Sequence, residues 1–469
     1  MAIDWKQEVA KREDDLMKDL MDLLRVPSVR EDDKATEDAP FGPGPKAALL
    51  KFLEIGERDG FVTKNVENVA GHLEFGEGDE TLGIFGHVDV VPVGTGWDTD
   101  PFEPVIKDGR LYARGSSDDK GPSVAAYYAL KMIKELELPT SKRVRFIIGT
   151  DEESSWKCME RYLEVEETPD FGFAPDAEFP IINGEKGNAT IVLSLDATNG
   201  DSYQLKQFQA GLRANMVPES GNAVVVLPED ADVDALQKAY DAYLEQEKVT
   251  GTVEVNGREA TFFLKGKSAH GASPASGVNG ATYLAAFLSS YDFKEGAKRY
   301  LDMIANFVHQ DTEGKKLGMA IVDDVMGALT MNAGLFSFEE GKEASVTLNM
   351  RYPKGTTEEK LVANIEKSLA DSAVQVNLQP GGKGPHYVPE DDELVKTLLE
   401  VYEEHTGLEG KGQVIGGGTF GRLLERGVAY GAMFPDSIDT MHQANEFMAV
   451  KDIINATAIY ADAIYRLIK

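Results

Sequence analysis

The residues with the clearest capacity for chemistry are two histidines that stand beside acidic or polar residues. His87 follows the apolar run LGIFG, and Asp89 lies two positions further on. Residues two apart in an extended segment point the same way, so we expect the Asp89 carboxylate to orient the His87 ring. His442 lies far along the chain, in the polar segment TMHQANEF. Taken alone, a histidine in such a position is more often structural or exposed than catalytic.

Acidic residues form three further groups. RGSSDDKGP places Asp118 and Asp119 at a loop-to-helix junction, IIGTDEESS places Glu152 and Glu153 after an apolar run, and FAPDAEFP contains Asp176. Adjacent carboxylates repel each other unless a cation neutralises them. Each group also has a structural explanation, because Asp caps helices well and acids near a helix start favour the helix dipole.

The predicted positions of these groups favour one shared site. In an open α/β sheet, functional side chains gather beyond the carboxyl ends of the strands, and these segments are predicted to lie there. Mixed histidine and carboxylate ligands suit zinc. A carboxylate shared by two ions suits a paired centre that activates water and polarises a carbonyl group. The residues therefore predict a two-zinc hydrolase, with the choice among the acids left open.

Composition excludes several other classes of protein. The 469 residues are 42% hydrophobic and 27% charged, which is typical of a folded protein of two or three domains. The net charge of −32 repels phosphate backbones and anionic membranes, so neither nucleic acid nor a membrane is an expected partner. The single cysteine, Cys158, excludes an internal disulfide and a cysteine-based metal cluster. The charged N-terminal segment lacks an apolar signal core, so we expect a cytoplasmic location.

Hydrophobic patterning predicts an α/β fold with an insertion. Apolar runs at 81–85 and 143–150 alternate with a helical pattern at 122–136, which indicates a catalytic domain with a mostly parallel sheet flanked by helices. Later strands alternate apolar and polar residues, which indicates an inserted α+β lid domain, long enough for two similar subdomains. Helices are also predicted over 4–25 and 419–427. The predicted domains are a catalytic domain at 1–186 and 383–469, and an inserted domain at 187–382.

Read in order, the motifs resemble one known family. They are GHVDVVPVG, YARGSSDDKGP, GTDEESS, PDAEFP, KSAHGASPASGVNG, LNMRYP, GGGTFGR and MHQANE, and they span nearly the whole chain. This ordered set resembles the zinc aminoacylase, carnosinase and dipeptidase family of metallopeptidases, most closely its bacterial dipeptidases of the PepV type. The resemblance implies two Zn²⁺ ions per subunit. It also implies a dipeptidase that hydrolyses short peptides with a free N-terminus.

The resemblance gives a role to each matched residue of the catalytic domain. Glu152 is the implied general base, because one carboxylate must stay off the metal to accept a proton from water. Asp118 is the implied bridge between the ions, with Asp119 as the alternative, and the peptide bond after the bridge is usually cis in this family. Asp89 is the implied partner of the first ligand. The implied metal ligands are His87, Asp118, Glu153, Asp176 and His442.

The inserted domain resembles the lid of this family. His270, in SAHGASP, would stabilise the developing oxyanion, and Asn215, in RANMVP, would do related work. Arg351, in NMRYP, would hold the terminal carboxylate of the substrate with its planar guanidinium. The lid is about double the length found in many relatives that dimerise through it. We therefore predict a monomer in which the lid imitates a dimer partner.

The glycine-rich segment GGGTFG matches the pattern G-x-G-x-x-G of dinucleotide-binding proteins. That pattern requires an acidic partner and a compact βαβ unit, and the late position of the segment does not provide them, so we interpret the match as accidental. Gly417, Gly418 and Thr419 are instead expected to offer backbone N–H groups to a substrate carboxylate.

Two other functions remain open at this point. One is a deacylase or carboxypeptidase of the same family that acts on N-acyl amino acids. The other is a non-catalytic, metal-bearing binding protein, which Glu152 argues against because pure binding needs no free base beside the ligands.

Overall fold

The computed structural model describes residues 3–370 and 372–469. Two compact units are present: unit 1 comprises Met1–Gly184 and Tyr387–Lys469, and unit 2 comprises Glu185–His386. The domain boundaries predicted from the sequence lie within a few residues of the points where the chain passes from one unit to the other. The assignment of the units as catalytic domain and lid stays a prediction.

Helices and strands alternate along both units. The α-helices are α1 (Trp5–Ala10), α2 (Glu13–Leu24), α3 (Pro43–Arg58), α4 (Lys120–Glu135), α5 (Lys157–Val165), α6 (Val233–Glu247), α7 (Gly280–Ser289), α8 (Glu295–Met303), α9 (Glu358–Ser368), α10 (Glu393–Thr406) and α11 (Val450–Ile468). Within the part of the chain that the structure describes, none of them is long and apolar enough to cross a membrane.

Among the described residues the strands are more numerous than the helices, and most of them are shorter. They are β1 (Val62–Val66), β2 (Ala70–Phe75), β3 (Thr81–His87), β4 (Val105–Lys107), β5 (Arg110–Tyr112), β6 (Arg143–Gly149), β7 (Phe171–Ala174), β8 (Ala177–Glu178), β9 (Ile182–Glu185), β10 (Gly187–Asp196), β11 (Gln204–Ala210), β12 (Ser220–Val226), β13 (Thr250–Asn256), β14 (Glu259–Lys265), β15 (Val322–Asp323), β16 (Gly327–Ala328), β17 (Thr330–Glu339), β18 (Glu343–Tyr352), β19 (Gln375–Leu378), β20 (His386–Tyr387), β21 (Gln413–Ile415), β22 (Gly427–Ala429), β23 (Ala432–Met433) and β24 (Phe447–Ala449).

The main sheet of unit 1 is mixed, with a parallel centre. Its strand order is β1-β2-β6-β3-β7-β22-β9-β20, and β21 also pairs with β9. The four central strands, β6, β3, β7 and β22, are parallel, whereas β1, β2 and β9 pair with their neighbours in antiparallel fashion. The predicted parallel arrangement therefore holds for the centre of the sheet and not for its edges.

Both faces of this parallel centre are covered. Ile84 and Phe146 belong to one apolar core, whereas their neighbours Phe85 and Ile147 belong to a second core. Successive residues of a strand point to opposite faces, so the strands need apolar residues at nearly every position. This requirement explains the continuous apolar runs of the sequence. The buried helices α4 and α11 pack together on the first core.

Two helices predicted in unit 1 differ from those in the structure. The sequence predicts one helix over 4–25, but this segment forms two, α1 and α2. They are separated at Arg12, because its backbone N–H donates to the Val9 carbonyl and its guanidinium donates to the Glu8 carbonyl. The segment 419–427 forms only a short 3₁₀ turn, Phe420–Leu423. A side chain on Gly427 would overlap the Gly421 carbonyl, and this close approach leads the chain directly into β22.

Unit 2 is built on one continuous antiparallel sheet. The strand order is β13-β14-β12-β11-β17-β18-β10-β19. Burial alternates along β14, where Phe262 and Leu264 enter the core, as the alternating sequence predicts. Because strands from both halves of the insertion share this sheet, the two similar subdomains remain a prediction.

His72 of β2 is a buried histidine that makes a polar contact to α5. Its side chain is almost inaccessible, and its Nδ1 lies 2.7 Å from the Tyr162 hydroxyl. Burial lowers the pKa of His72 to about 4, and the nearby positive charge of Arg145 acts in the same direction. The folded protein therefore holds His72 neutral at pH 7.

We expect the substitution His72→Gln to reduce the acid sensitivity of the fold. The unfolded chain binds a proton at His72 near pH 6.5, whereas the folded chain binds it only near pH 4, so stability falls as the pH decreases through this window. The loss attributable to His72 is about 2 kcal/mol between neutral pH and pH 4.5. Urea unfolding of both proteins at these two pH values measures it, and an equal loss in the variant would contradict the assignment.

Candidate metal centre

Three neighbouring parallel strands bring acidic and imidazole groups to one edge of the unit 1 sheet. His87 is the last residue of β3, Glu152 and Glu153 follow β6, and Asp176 follows β7. Because β6, β3 and β7 are adjacent and parallel, their carboxyl ends meet at the same edge. The sheet topology therefore assembles the residues that the sequence predicts to act together.

Asp118 occupies the centre of this group. It lies just before α4, and its Oδ1 is 3.2 Å from Nε2 of His87. Its other oxygen, Oδ2, is 2.9 Å from Nε2 of His442, which comes from the loop between β23 and β24. One carboxylate thus faces two histidines from distant parts of the chain.

A further carboxylate accompanies each histidine. Asp176 Oδ2 lies 3.6 Å from His87 Nε2, and Glu153 Oε1 lies 3.2 Å from His442 Nε2. We call His87, Asp118 and Asp176 the first half-site, and His442, Asp118 and Glu153 the second half-site. Candidate ligand atoms of His87, Asp118 and Glu153 all lie within 4.8 Å of one another, as do those of His87, Glu152 and Asp176.

Asp119, the alternative bridge, points elsewhere. Its Oδ2 accepts hydrogen bonds from the backbone N–H of His87 at 3.1 Å and from the Ser123 hydroxyl at 2.7 Å. The peptide bond between Asp118 and Asp119 is cis. The side-chain directions favour Asp118 as the shared ligand, because only its carboxylate contacts both histidines.

Asp89 links the end of β3 to the acidic pair. His87 Nδ1 lies 3.0 Å from the Asp89 backbone carbonyl and 3.4 Å from its carboxylate. The same carboxylate accepts the backbone N–H groups of Glu152 and Glu153, each at 3.1 Å. Asp89 therefore holds the imidazole mainly through its main chain, while its side chain fixes the acidic pair.

The electrostatics of the group indicate an excess of negative charge. Burial and the charge of Asp118 raise the pKa of Glu153 to about 7 and that of Asp176 to about 6. Burial and the neighbouring acids also hold the pKa of Glu152 well above its usual range. Burial opposes ionisation of Asp118, but hydrogen bonds from His442 and His87 keep its pKa low.

These residues fit divalent metal ions. The donor set mixes imidazole with carboxylate, which suits a zinc-type ion. In addition, Asp119 Oδ1 is buried without a hydrogen-bond partner among the described residues. Crowded carboxylates in a poorly hydrated pocket are stabilised by a cation, which offsets both their burial and their mutual repulsion.

The glycine-rich segment after β21 adjoins the first half-site. Gly417 and Gly418 are exposed, whereas Thr419 is buried and its hydroxyl accepts the Gly421 N–H. The ring of Phe420 lies edge-on to that of His87, with centroids 6.3 Å apart. The sequence analysis did not single out Phe420, because one apolar residue in a polar loop carries no distinguishing signal.

The predicted residues of the insertion cluster within unit 2. The segments of Asn215 and His270 are adjacent, since the Gly271 N–H donates to the Asn215 carbonyl at 2.7 Å. Burial lowers the pKa of His270, and the positive charge of Arg351 contributes to this shift. Arg351 itself lies on β18 and is 9% exposed. The catalytic roles of these residues stay predictions.

Comparison with known proteins agrees with the chemistry of this centre. Residues 83–466 match Peptidase family M20/M25/M40. The chain is 44% identical to the Beta-Ala-Xaa dipeptidase of Lactobacillus delbrueckii subsp. lactis over 473 residues, which cover 100% of this chain and 99% of that protein.

Solved structures share the fold at low sequence identity. Human carnosine dipeptidase 1 matches with a TM-score of 0.57 and 16% identity, over 98% of this chain and 97% of that one. The aminoacylhistidine dipeptidase of Vibrio alginolyticus matches with a TM-score of 0.58 and 14% identity, over 97% and 96% of the two chains.

The fold and the histidine–carboxylate cluster define a metal-dependent hydrolase. With a profile match over most of its length, the chain belongs to Peptidase family M20/M25/M40. It is therefore an enzyme of the metallopeptidase class.

We expect Asp118→Asn and Asp119→Asn to differ in metal binding. Asp118 contacts the histidines of both half-sites, so its substitution should lower metal affinity by more than about 100-fold. The carboxylate of Asp119 hydrogen-bonds to the His87 main chain and the Ser123 hydroxyl and to neither imidazole ring, so a change there should cost about 10-fold. Elemental analysis of each purified variant, after dialysis against graded metal concentrations, gives the affinities. Equal losses would contradict the assignment of Asp118 as the shared ligand.

Proposed function

We propose that this chain is a zinc-dependent dipeptidase that hydrolyses short peptides with a free N-terminus at a two-zinc centre. The observation that carries the proposal is the Asp118 carboxylate, whose two oxygens face His87 and His442 separately. His87 and Asp176 would hold one ion, His442 and Glu153 the other, and Asp118 both. Bound zinc would polarise the scissile carbonyl and lower the pKa of water. The dipeptidase named among the relatives supports the substrate class.

Glu152 belongs to neither half-site, and we assign it the role of general base. Among the described contacts, neither histidine of the centre hydrogen-bonds to Glu152, although its carboxylate lies within 4.8 Å of ligand atoms of His87 and Asp176. Its backbone is fixed by Asp89. A carboxylate in this position can accept a proton from the attacking water and deliver it to the leaving amine.

The remaining residues of the proposal come from unit 2 and from the glycine-rich segment of unit 1. His270 would stabilise negative charge on the carbonyl oxygen, assisted by Asn215, because a donor aimed at developing charge lowers the barrier. Arg351 would bind the terminal carboxylate of the peptide, together with the N–H groups of the segment Gly417–Thr419. These assignments rest on the motifs SAHGASP, RANMVP, NMRYP and GGGTFG.

Glu152→Ala is expected to abolish most turnover without loss of metal. Removal of a general base typically lowers the rate by about 10²–10⁴-fold, whereas the ligands of both half-sites remain. Hydrolysis of a dipeptide and zinc content should be measured on the same preparation. The exposed acid Glu160 of α5 provides a control, since Glu160→Ala should leave both quantities unchanged. Retained turnover in Glu152→Ala would refute the assignment.

The proposed requirement for a free N-terminus is tested with a substrate whose N-terminus is acetylated. We expect kcat/KM for an N-acetyl dipeptide to be about 10- to 100-fold lower than for the parent dipeptide, because acetylation removes a charged hydrogen-bond donor. Initial rates on the two substrates, at matched zinc content, give this ratio. A preference for the acetylated form would instead support a deacylase or carboxypeptidase acting on N-acyl amino acids.

A further inference from the structure

A buried ion pair lies behind the second half-site. Arg114 and Glu446 are each almost completely buried, and Arg114 Nη1 lies 2.7 Å from Glu446 Oε2. Burial of two charges is unfavourable unless their remaining hydrogen-bonding groups are also satisfied. The other hydrogen bonds of this pair therefore indicate which segments it holds in place.

Glu446 organises the turn that carries the shared ligand. Its Oε1 accepts the backbone N–H groups of Ser117 at 2.8 Å and Asp118 at 3.2 Å. Its Oε2 accepts the N–H of Gly115 at 3.1 Å as well as the Arg114 guanidinium. The turn from residue 114 to residue 118 thus wraps around one carboxylate, which fixes the main chain of Asp118.

Arg114 connects the same carboxylate to the segment of the second histidine. Its Nη1 donates to the carbonyl of Gln443, the residue after His442, at 3.2 Å. Its Nη2 donates to the Pro92 carbonyl at 3.3 Å, and the guanidinium lies 5.3 Å from the Trp97 ring. The ion pair therefore ties the turn that carries the shared ligand to the loop that carries the histidine.

The main chain of that loop has an uncommon conformation. His442 has a φ of 61° and Asn445 a φ of 59°, in the left-handed region that few side-chain-bearing residues adopt, although His and Asn adopt it more often than most. The side chain of His442 is also 56% exposed, so packing alone does not hold it. Gln443 and Glu446 directly follow His442 and Asn445 in the chain, and both accept hydrogen bonds from Arg114.

We propose that Arg114 and Glu446 are positioning residues that set the spacing between His442 and Asp118, and thereby the metal affinity of the second half-site. This inference rests on the proposed two-zinc centre. Neither residue is itself a ligand. Both half-sites include Asp118, but only the second also includes the loop of His442 that Arg114 contacts, so we expect the larger effect there. The first half-site takes its histidine from the end of β3, which does not depend on the ion pair.

The test is a Zn²⁺ titration of the full-length, chelator-treated protein in competition with a chromophoric chelator. Glu446→Gln replaces one acceptor oxygen by an N–H₂ group that opposes the N–H donors around it. Arg114→Lys keeps the charge but loses the planar fork. In each variant we expect one zinc to bind within about threefold of the wild-type affinity, and the other to bind at least about tenfold more weakly.

A second ion pair in unit 1 provides the control. Arg145, on β6, is buried and lies 2.7 Å from the half-buried Glu74, and its contacts among the described residues include no member of either half-site. Arg145→Lys should lower Tm and leave both zinc affinities unchanged. The inference would be overturned if Arg145→Lys weakened one zinc affinity in the same way, or if Glu446→Gln and Arg114→Lys left both zinc affinities unchanged. It would also be overturned if Glu446→Gln and Arg114→Lys both unfolded while Arg145→Lys stayed folded. A wild-type protein that binds fewer than two zinc ions would overturn the proposed function instead.

Discussion

The contact of one carboxylate with two histidines is the interaction on which the rest of the site depends. The oxygens of Asp118 face His87 and His442, and these histidines belong to the two separate chain segments of unit 1. The centre consequently exists only when both segments have folded together. Insertion of unit 2 between them is compatible with this, because the chain leaves and re-enters unit 1 at the neighbouring strands β9 and β20.

The parallel centre of the sheet supplies the framework for this contact. It brings three strand ends to one edge, and apolar cores cover both of its faces beneath the site. Polar support then fixes individual groups. Asp89 holds the acidic pair from one side, and Glu446 holds the turn of Asp118 from the other. Both carboxylates are buried and accept backbone N–H groups, which restrains the main chain of the acidic pair and of Asp118.

Repulsion among the carboxylates favours the binding of cations at this site. The raised pKa values of Glu152, Glu153 and Asp176 have the same two causes, which are burial of the carboxyl groups and the negative charge of neighbouring acids. Divalent cations relieve this repulsion, so metal binding and the arrangement of the acids support each other. A metal ion bound among these acids would therefore also stabilise the fold of unit 1.

The sequence by itself determined the kinds of residue, their order and the strand ends that carry them, because apolar periodicity and turn residues are local properties. It also indicated the shared chemistry, because several histidine and acidic groups, each of which alone has a structural explanation, are all predicted beside strand ends at one edge of the sheet. Only the tertiary structure showed that the Asp118 carboxylate, and not that of Asp119, contacts both histidines. It also turned the Asp89 carboxylate toward the acidic pair, and it placed Phe420 beside His87 and Glu446 beside the Asp118 N–H. It also divided the first helix at Arg12. Each of these outcomes depends on side-chain direction or on contacts between distant segments, and neither is encoded in local sequence pattern.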